Sequence, residues 1–568
     1  MKNLHKILGL LLLCATSLWQ SQSFAQVAQV ALTRERCEAL QQTRISPAQV
    51  GEPVSAVQIT SAKWEDNAAV VHCRIDGHLA PVDMRANARD INFGVALPIK
   101  WNGRAIQLGG GGMNGMVPGL GDRSDRSELA RGYATYGSDS GHSVKDDPSW
   151  LLNDEAIRNL GFQQMKKTHD AALVLIKAAY GSAPAYNYFV GASQGGREGL
   201  TVAQRYPQDY AGVLSSVPVT GFSTLMLSPS LVRIQEKPLA NWVPAERGPI
   251  LLAEFMRQCD GLDGRIDAVI NNYVDCRAIF NVNDGKGPVD PWSALRCRAA
   301  VAAGDCLSKA QIATLDLIFS DYSPGFALPN GLTRFGMSAP TTAIAAPGLE
   351  VNNLVPPEAL LVARRYKGQE GAAENAPPFT RLGTDGVTGF LMQDPAGNSL
   401  DYNVAQHGAR HAQVAAWLDS SQSDLRVFTA AGSKLIVTIG TDDTVAPSGE
   451  QLNYYQSLLG TMGRKAIDAF ARLYVLPQTG HGLTGKSAVI DGHGKAVEAR
   501  DIPNHADRFA LLVDWVEHGV APGKTVEVSG DTGTRPMCSY PEYPRYTRGN
   551  AAKAASYTCR RPEYAVRN

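Results

Sequence analysis

From about Arg104 onward, the apolar residues fall into short runs that alternate between two spacings. "RAIQLGGGG" and "GYATYGSDSG" read as short apolar strands that run into glycine turns. "HDAALVLIKAAYG" carries its apolar residues at helical spacing and meets a stop at Gly181. "YNYFVGAS" reads as a strand, "REGLTVAQRYP" as a helix and "YAGVLSSVPV" as the next strand. Strands alternating with helices predict a parallel sheet joined by crossovers, an α/β fold.

The alternation dissolves near Thr220. The segment to about Ser420 is rich in Pro, Gly and Asn and holds four cysteines. Alternation resumes with the strand "SKLIVTIGTDD", the helix "SGEQLNYYQSLLG", the strand "RLYVLPQTGHG" and the helix "ADRFALLVDWVEHG", which stops at Gly519. The expected organisation is one α/β core, residues 26–219 and 421–568, interrupted by an inserted domain over 220–420. A chain of 568 residues is too long for one small core, which agrees.

The N-terminus has its own pattern. Lys2 and Lys6 precede an apolar run from Ile7 to Leu13, and Ser23-Phe24-Ala25 has the small-x-small form of a cleavage site. Residues 1–25 therefore read as a signal peptide, and the mature protein as secreted or periplasmic. A transmembrane anchor would need about 20 apolar residues. A lipoprotein signal at Cys14 is disfavoured by the bulky Leu13 before it. Export changes the meaning of the remaining eight cysteines, Cys37, Cys73, Cys259, Cys276, Cys297, Cys306, Cys538 and Cys559: an even set in an oxidising compartment predicts four disulfides. Roughly a hundred pairings are open, and joining neighbours is the economical choice. Acidic and basic residues balance at 54 each, so no net charge calls for nucleic acid or an anionic membrane as partner.

Candidate chemistry centres on "YFVGASQGGREGL". Gly191-Ala192-Ser193-Gln194-Gly195, between a strand and a helix, has the form of the nucleophile elbow of the α/β-hydrolase fold. The alternative is a tight turn that happens to hold a serine. A serine nucleophile needs a base and an orienting acid, which this fold supplies in the order Ser, Asp or Glu, His. The strand "KLIVTIG" ends in "TDDTVAP", which offers Asp442 and Asp443; Asp443 is favoured, with helix capping as the alternative role of either. The next strand ends in "QTGHG", which places His481 at the same sheet edge. In "QLGGGGMNG", Gly110, Gly112 and Gly115 match a dinucleotide fingerprint, but no apolar helix follows. An oxyanion loop fits better, with the amides of Gly111 and Gln194 as donors and the choice of glycine open.

The inserted segment contains "CDGLDGRIDAVI". The carboxylates of Asp260, Asp263 and Asp267 can converge with the carbonyls of Arg265 and Val269, a hard-oxygen set suited to a structural Ca2+. A solvated acidic turn is the plainer alternative.

With these motifs the chain resembles the tannase and feruloyl esterase family. The resemblance rests on "QLGGGGMNG", "YGSDSGH", "THDAALVLIKAAYG", "FVGASQGGREGLTVAQRYPQDYAGVLSSVP", "CDGLDGRIDAVI", "CLSKAQIATL", "VLPQTGHG" and "RPMCSYPEYPRY", spread over most of the mature chain. It implies an α/β-hydrolase fold with an inserted lid domain, a nucleophile at Ser193, an acid at Asp443, a base at His481 and calcium in the Asp260–Val269 loop. It also implies the pairs Cys37–Cys73, Cys259–Cys276, Cys297–Cys306 and Cys538–Cys559. The family usually joins a cysteine before the serine to one after the histidine; here those positions are Ala192 and Gly482. The implied activity is hydrolysis of small aromatic esters of the feruloyl, galloyl or terephthalate-monoester type. The alternatives are a lactonase or peptidase on the same fold, or a calcium-stabilised binding protein without catalysis.

Overall fold

Three strands precede the first one expected from the sequence: β1 (Ala56–Glu65), β2 (His72–Ala80) and β3 (Ile91–Pro98). The expected strands follow as β4 (Arg104–Leu108), β5 (Ala134–Ser138), β6 (Tyr186–Ala192), β7 (Gly212–Ser216), β8 (Lys434–Gly440) and β9 (Ala471–Leu476). Two more, β10 (Thr525–Gly530) and β11 (Gly533–Ser539), complete an 11-stranded sheet in the order β1-β2-β3-β5-β4-β6-β7-β8-β9-β11-β10. This computed structural model describes residues 31–564 apart from 122, 125, 288–289, 299–305, 346–360, 362–363 and 380–382. The expected signal peptide, residues 1–25, lies outside the described residues.

Strands β5, β4, β6, β7, β8 and β9 run parallel, and antiparallel strands flank them on both sides. The parallel strands are buried on both faces because successive residues enter different cores. Phe189, Val213, Val437 and Val475 pack into one apolar cluster with the helices Gln194–Arg205 and Ser448–Met462. Their neighbours Tyr188, Leu214, Ile436 and Tyr474 pack into another with the helix Arg508–His518. Period-two alternation thus separates two layers of helix across one sheet. The helix Gln164–Tyr180 ends on Gly181, whose φ of 81° closes the last turn in the left-handed region.

Between β7 and β8 the chain adds no strand to the sheet among the described residues. It forms helices, including Phe222–Gln235, Gly248–Cys259, Tyr273–Phe280, Lys309–Phe319 and Val404–Leu418, around a core of Leu251, Phe255, Phe280, Trp292, Leu315 and Phe319. All four disulfides form between sequence neighbours: Cys37–Cys73, Cys259–Cys276, Cys297–Cys306 and Cys538–Cys559. No helix among the described residues is long and apolar enough to cross a membrane.

The parallel strands share a direction, so the loops that follow β4, β6, β8 and β9 all emerge at one edge of the sheet. These are the glycine loop, the Ser193 turn, the Asp442-Asp443 loop and the His481 loop.

Candidate active site

Ser193 sits between β6 and the helix Gln194–Arg205 with φ 60° and ψ −121°. A non-glycine residue there is strained, and its surroundings must hold it. Ser193 N donates to Ser216 O at 2.9 Å, and Ser193 O accepts from Arg197 N at 3.0 Å. The flanking glycines are steric requirements. A Cβ at Gly191 would stand 2.2 Å from the carbonyl oxygen of Gly195, and one at Gly195 would stand 2.7 Å from that of Gly110. The turn therefore lifts the serine hydroxyl off the end of β6.

His481 Nε2 lies 2.7 Å from Ser193 Oγ, and His481 Nδ1 lies 2.9 Å from Asp443 Oδ2. The acid is buried and fixed from the other side: Asp443 Oδ1 accepts from the amides of Val445 and Ala446 at 2.9 and 2.8 Å. His481 keeps 27% of its side chain exposed, so solvent reaches the site from its side. The histidine loop carries strained backbone on both sides, with φ of 52° at Gln478 and 55° at Leu483. Such an array can hold the imidazole in one tautomer and draw a proton from the serine.

Asp442 points elsewhere. Its Oδ2 accepts from both the amide and the hydroxyl of Thr342, in the segment between β7 and β8, and burial pushes its pKa up to about 6. It fastens the acid loop to that segment and leaves the histidine to Asp443.

The glycine loop lies against the elbow. Gly109 N donates to Val190 O at 2.9 Å and Gly110 N donates to Glu198 Oε2 at 2.9 Å, so both amides are committed. Gly111 N makes no hydrogen bond among the described residues, and a Cβ at Gly111 would meet nothing within 4 Å. Gln194 begins the helix after Ser193, where the first-turn amides lack intrahelical acceptors.

The acidic loop is more closely tied to this site than its place in the sequence implies. Asp260 accepts four backbone amides: those of Asp267 at 3.1 Å and Val269 at 3.2 Å on Oδ1, and those of Ala268 at 3.1 Å and Gly492 at 2.8 Å on Oδ2. Asp263 accepts from Arg265 N and from Asn271 Nδ2; burial pushes its pKa up to about 7, with Asp267 adding to the rise. Asp267 Oδ2 pairs with Arg265 Nε at 2.9 Å, while its Oδ1 is buried without a partner. Among the described residues no three acidic, His or Cys side chains stand grouped for a metal. The charge-repelled Asp263–Asp267 pair and the orphaned Asp267 oxygen nevertheless fit a hard cation.

Three contacts bolt this loop to the histidine loop. Ile270 N donates to Gln478 Oε1 at 2.9 Å, Ala488 N to Ala268 O at 2.9 Å, and Gly492 N to Asp260 Oδ2. Neither Gln478 nor Glu198 stood out in the sequence. Their partners are hundreds of residues or several elements away, and a lone glutamine or a helical glutamate carries no local signal.

A family model described as "Tannase and feruloyl esterase" matches residues 73–560. An uncharacterised esterase of Agrobacterium fabrum is 31% identical over 552 residues, which cover 92% of each chain. Mono(2-hydroxyethyl) terephthalate hydrolase of Piscinibacter sakaiensis is 27% identical over an alignment covering 93% of this chain and 92% of its own. The crystal structure of feruloyl esterase B from Aspergillus oryzae superposes with a TM-score of 0.68 over 93% of this chain and 99% of that one. At 21% identity that likeness bears on the fold alone.

Proposed function

We propose that this chain, which belongs to the tannase and feruloyl esterase family and is a carboxylic ester hydrolase of that family, is an exported serine esterase acting on esters of aromatic acids. The observation that carries the mechanism is the unbroken line from Ser193 Oγ through His481 to the buried Asp443. His481 Nε2 takes the hydroxyl proton as Ser193 Oγ bonds to the ester carbonyl carbon. The carbonyl oxygen becomes an oxyanion facing the amides of Gly111 and Gln194. His481 returns the proton to the leaving alcohol, and the acyl group stays on Ser193. Water, deprotonated by the same imidazole, then releases the acid and restores the serine.

Support for an aromatic acyl group comes from the relatives, whose names specify ferulate and a terephthalate monoester. Hydrolysis of methyl ferulate, methyl gallate and mono(2-hydroxyethyl) terephthalate, set against 4-nitrophenyl butyrate, tests this. At least one aromatic ester should exceed the aliphatic ester in kcat/KM; preference for the aliphatic ester over all three would reject the aromatic assignment.

Export rests on the N-terminal pattern and the four disulfides, which persist in oxidising compartments. The loop from Asp260 to Val269 is proposed as a structural calcium site. Asp263, Asp267 and the carbonyls of Arg265 and Val269 would hold the ion, and Asp260 would contribute an oxygen now given to backbone amides. The ion would supply charge neutralisation to the loop and take no part in acyl transfer.

A further inference from the structure

Glu198 is 1% exposed, and no salt bridge to it forms among the described residues. Its sequence neighbour Arg197 spends its guanidinium elsewhere, on Gln194 Oε1 and on the carbonyls of Leu160, Gly161 and Leu418. An acid in such a place is costly unless its oxygens are well used. Three donors use them: Gly110 N at 2.9 Å on Oε2, with Asn114 Nδ2 at 2.5 Å and Gln164 Nε2 at 3.1 Å on Oε1. Burial raises the pKa of the carboxyl, and the charge of Arg197 and the Gly110 and Asn114 hydrogen bonds oppose the rise. All three partners are donors, so the group serves as an acceptor on both oxygens.

The placement of these donors matters more than their number. Gly110 and Asn114 bracket Gly111, and Asn114 N also donates to Gly111 O at 2.8 Å. Glu198 lies one helical turn beyond Gln194, on the helix that follows Ser193. Gln164 is itself anchored to the end of β5, since its Oε1 accepts from Ser138 Oγ at 2.5 Å. One carboxylate therefore spans the loop that carries one oxyanion amide and the helix that carries the other.

We infer that Glu198 is the positioning residue of the oxyanion hole, its carboxylate fixing the gap between the amides of Gly111 and Gln194. The inference rests on the proposed serine mechanism and deepens it. Glu198 touches no reacting atom; it acts through the glycine loop. Oxyanion stabilisation depends on donors held in place before charge develops, so loosening the loop costs the transition state more than the ground state.

Glu198→Gln tests this. It keeps the side-chain volume, yet either amide orientation sets an NH2 against a donor: Gly110 N on one side, Asn114 Nδ2 and Gln164 Nε2 on the other. With 4-nitrophenyl acetate, kcat should fall about ten- to a hundredfold, somewhat less than loss of an oxyanion donor itself. KM should stay within about threefold. The Kd for phenylboronic acid, which forms a tetrahedral adduct on a nucleophilic serine, should rise by the same factor as kcat falls. Titration with a sulfonyl fluoride should still count a full complement of reactive serines. Asn114→Gly, which suits the φ of 61° at that position, should show the same pattern more weakly, and it decides alone if Glu198→Gln does not fold. Unchanged kcat and boronate affinity in a folded variant would overturn the inference. So would a loss of kcat matched by a loss of titratable sites with boronate affinity intact, because that describes a merely structural role. If the unmodified protein does not turn over the ester, or Ser193→Ala still does, the serine mechanism fails first and this inference falls with it.

Discussion

Replacing Asp443 and Asp442 separately by asparagine distinguishes two adjacent acids that a sequence reading leaves close together. Asp443 presents Oδ2 to His481 Nδ1 at 2.9 Å and Oδ1 to the Val445 and Ala446 amides. Asparagine can keep those amide bonds with its carbonyl oxygen, which turns its NH2 toward Nδ1. The imidazole must then carry its proton on Nε2, facing Ser193, and it can no longer act as a base. A triad acid replaced in this way costs about 10⁴-fold in kcat, or roughly 5 kcal/mol of transition-state stabilisation. Asp442→Asn has no such consequence. Its carbonyl can still accept from Thr342, and it removes a buried charge whose pKa burial already pushes up to about 6. Activity within about threefold of the parent is expected, with stability unchanged or slightly higher. The assay is steady-state hydrolysis of 4-nitrophenyl acetate at pH 7–8 on both variants, with circular dichroism to show that each is folded. A large loss in Asp442→Asn beside a nearly normal Asp443→Asn would refute the assignment and the geometry behind it.

Other consequences can be checked as directly. Metal analysis of protein purified without chelators should find one calcium per chain; EDTA should lower Tm, and added Ca2+ should restore it. Because Gln478, Ala488 and Gly492 bolt the acidic loop to the histidine loop, chelation should also lower kcat several-fold; no calcium and no effect would remove the site. The double change Ala192→Cys with Gly482→Cys should form a disulfide, since Gly482 has no positive φ and a Cβ there would meet only Thr484 Oγ1 at 3.5 Å. Closing a loop of roughly 290 residues should stabilise by up to about 5 kcal/mol, less any strain; two persistently free thiols would show that the positions are not juxtaposed. Glu450 is buried, accepts from Gly336 N, and has its pKa pushed up to about 8, first by burial. The folded state then holds a proton that the unfolded chain has lost, so this contribution is full below about pH 4.5 and fades as pH rises through 8. Glu450→Gln should flatten the fall in Tm between pH 6 and 9, and a slope as steep as the parent's would contradict the assignment.

Much of the core could be read from the chain because its signals are local. A strand, a glycine-flanked serine and a helix in succession describe the elbow, and the strands before Asp443 and His481 place both loops at the same sheet edge. The antiparallel strands β1–β3 were not anticipated, nor were β10 and β11. Within each set they are consecutive antiparallel strands with no helix between them, so they lie outside the strand–helix alternation that marks the parallel core. The stretch between β7 and β8 read as irregular because, among the described residues, it holds helices with no sheet strand to alternate with them. The side-chain contacts that fasten the glycine and histidine loops in place were not legible. Glu198, Asn114 and Gln164 come from three separate segments of the chain, and Gln478 and Ile270 lie 208 residues apart. A buried polar group announces itself through its partners, and those partners are distant in sequence.

The most direct test is turnover by Ser193→Ala. The hydroxyl oxygen is the one protein atom that the proposed chemistry bonds covalently to the acyl group, and alanine leaves the elbow's backbone contacts in place. With an aromatic ester that the parent protein hydrolyses, the folded variant should lose at least about 10⁴-fold in kcat, keeping only what the oxyanion amides and binding supply. Hydrolysis within tenfold of the parent, by a variant with an unchanged melting curve, would contradict the serine mechanism.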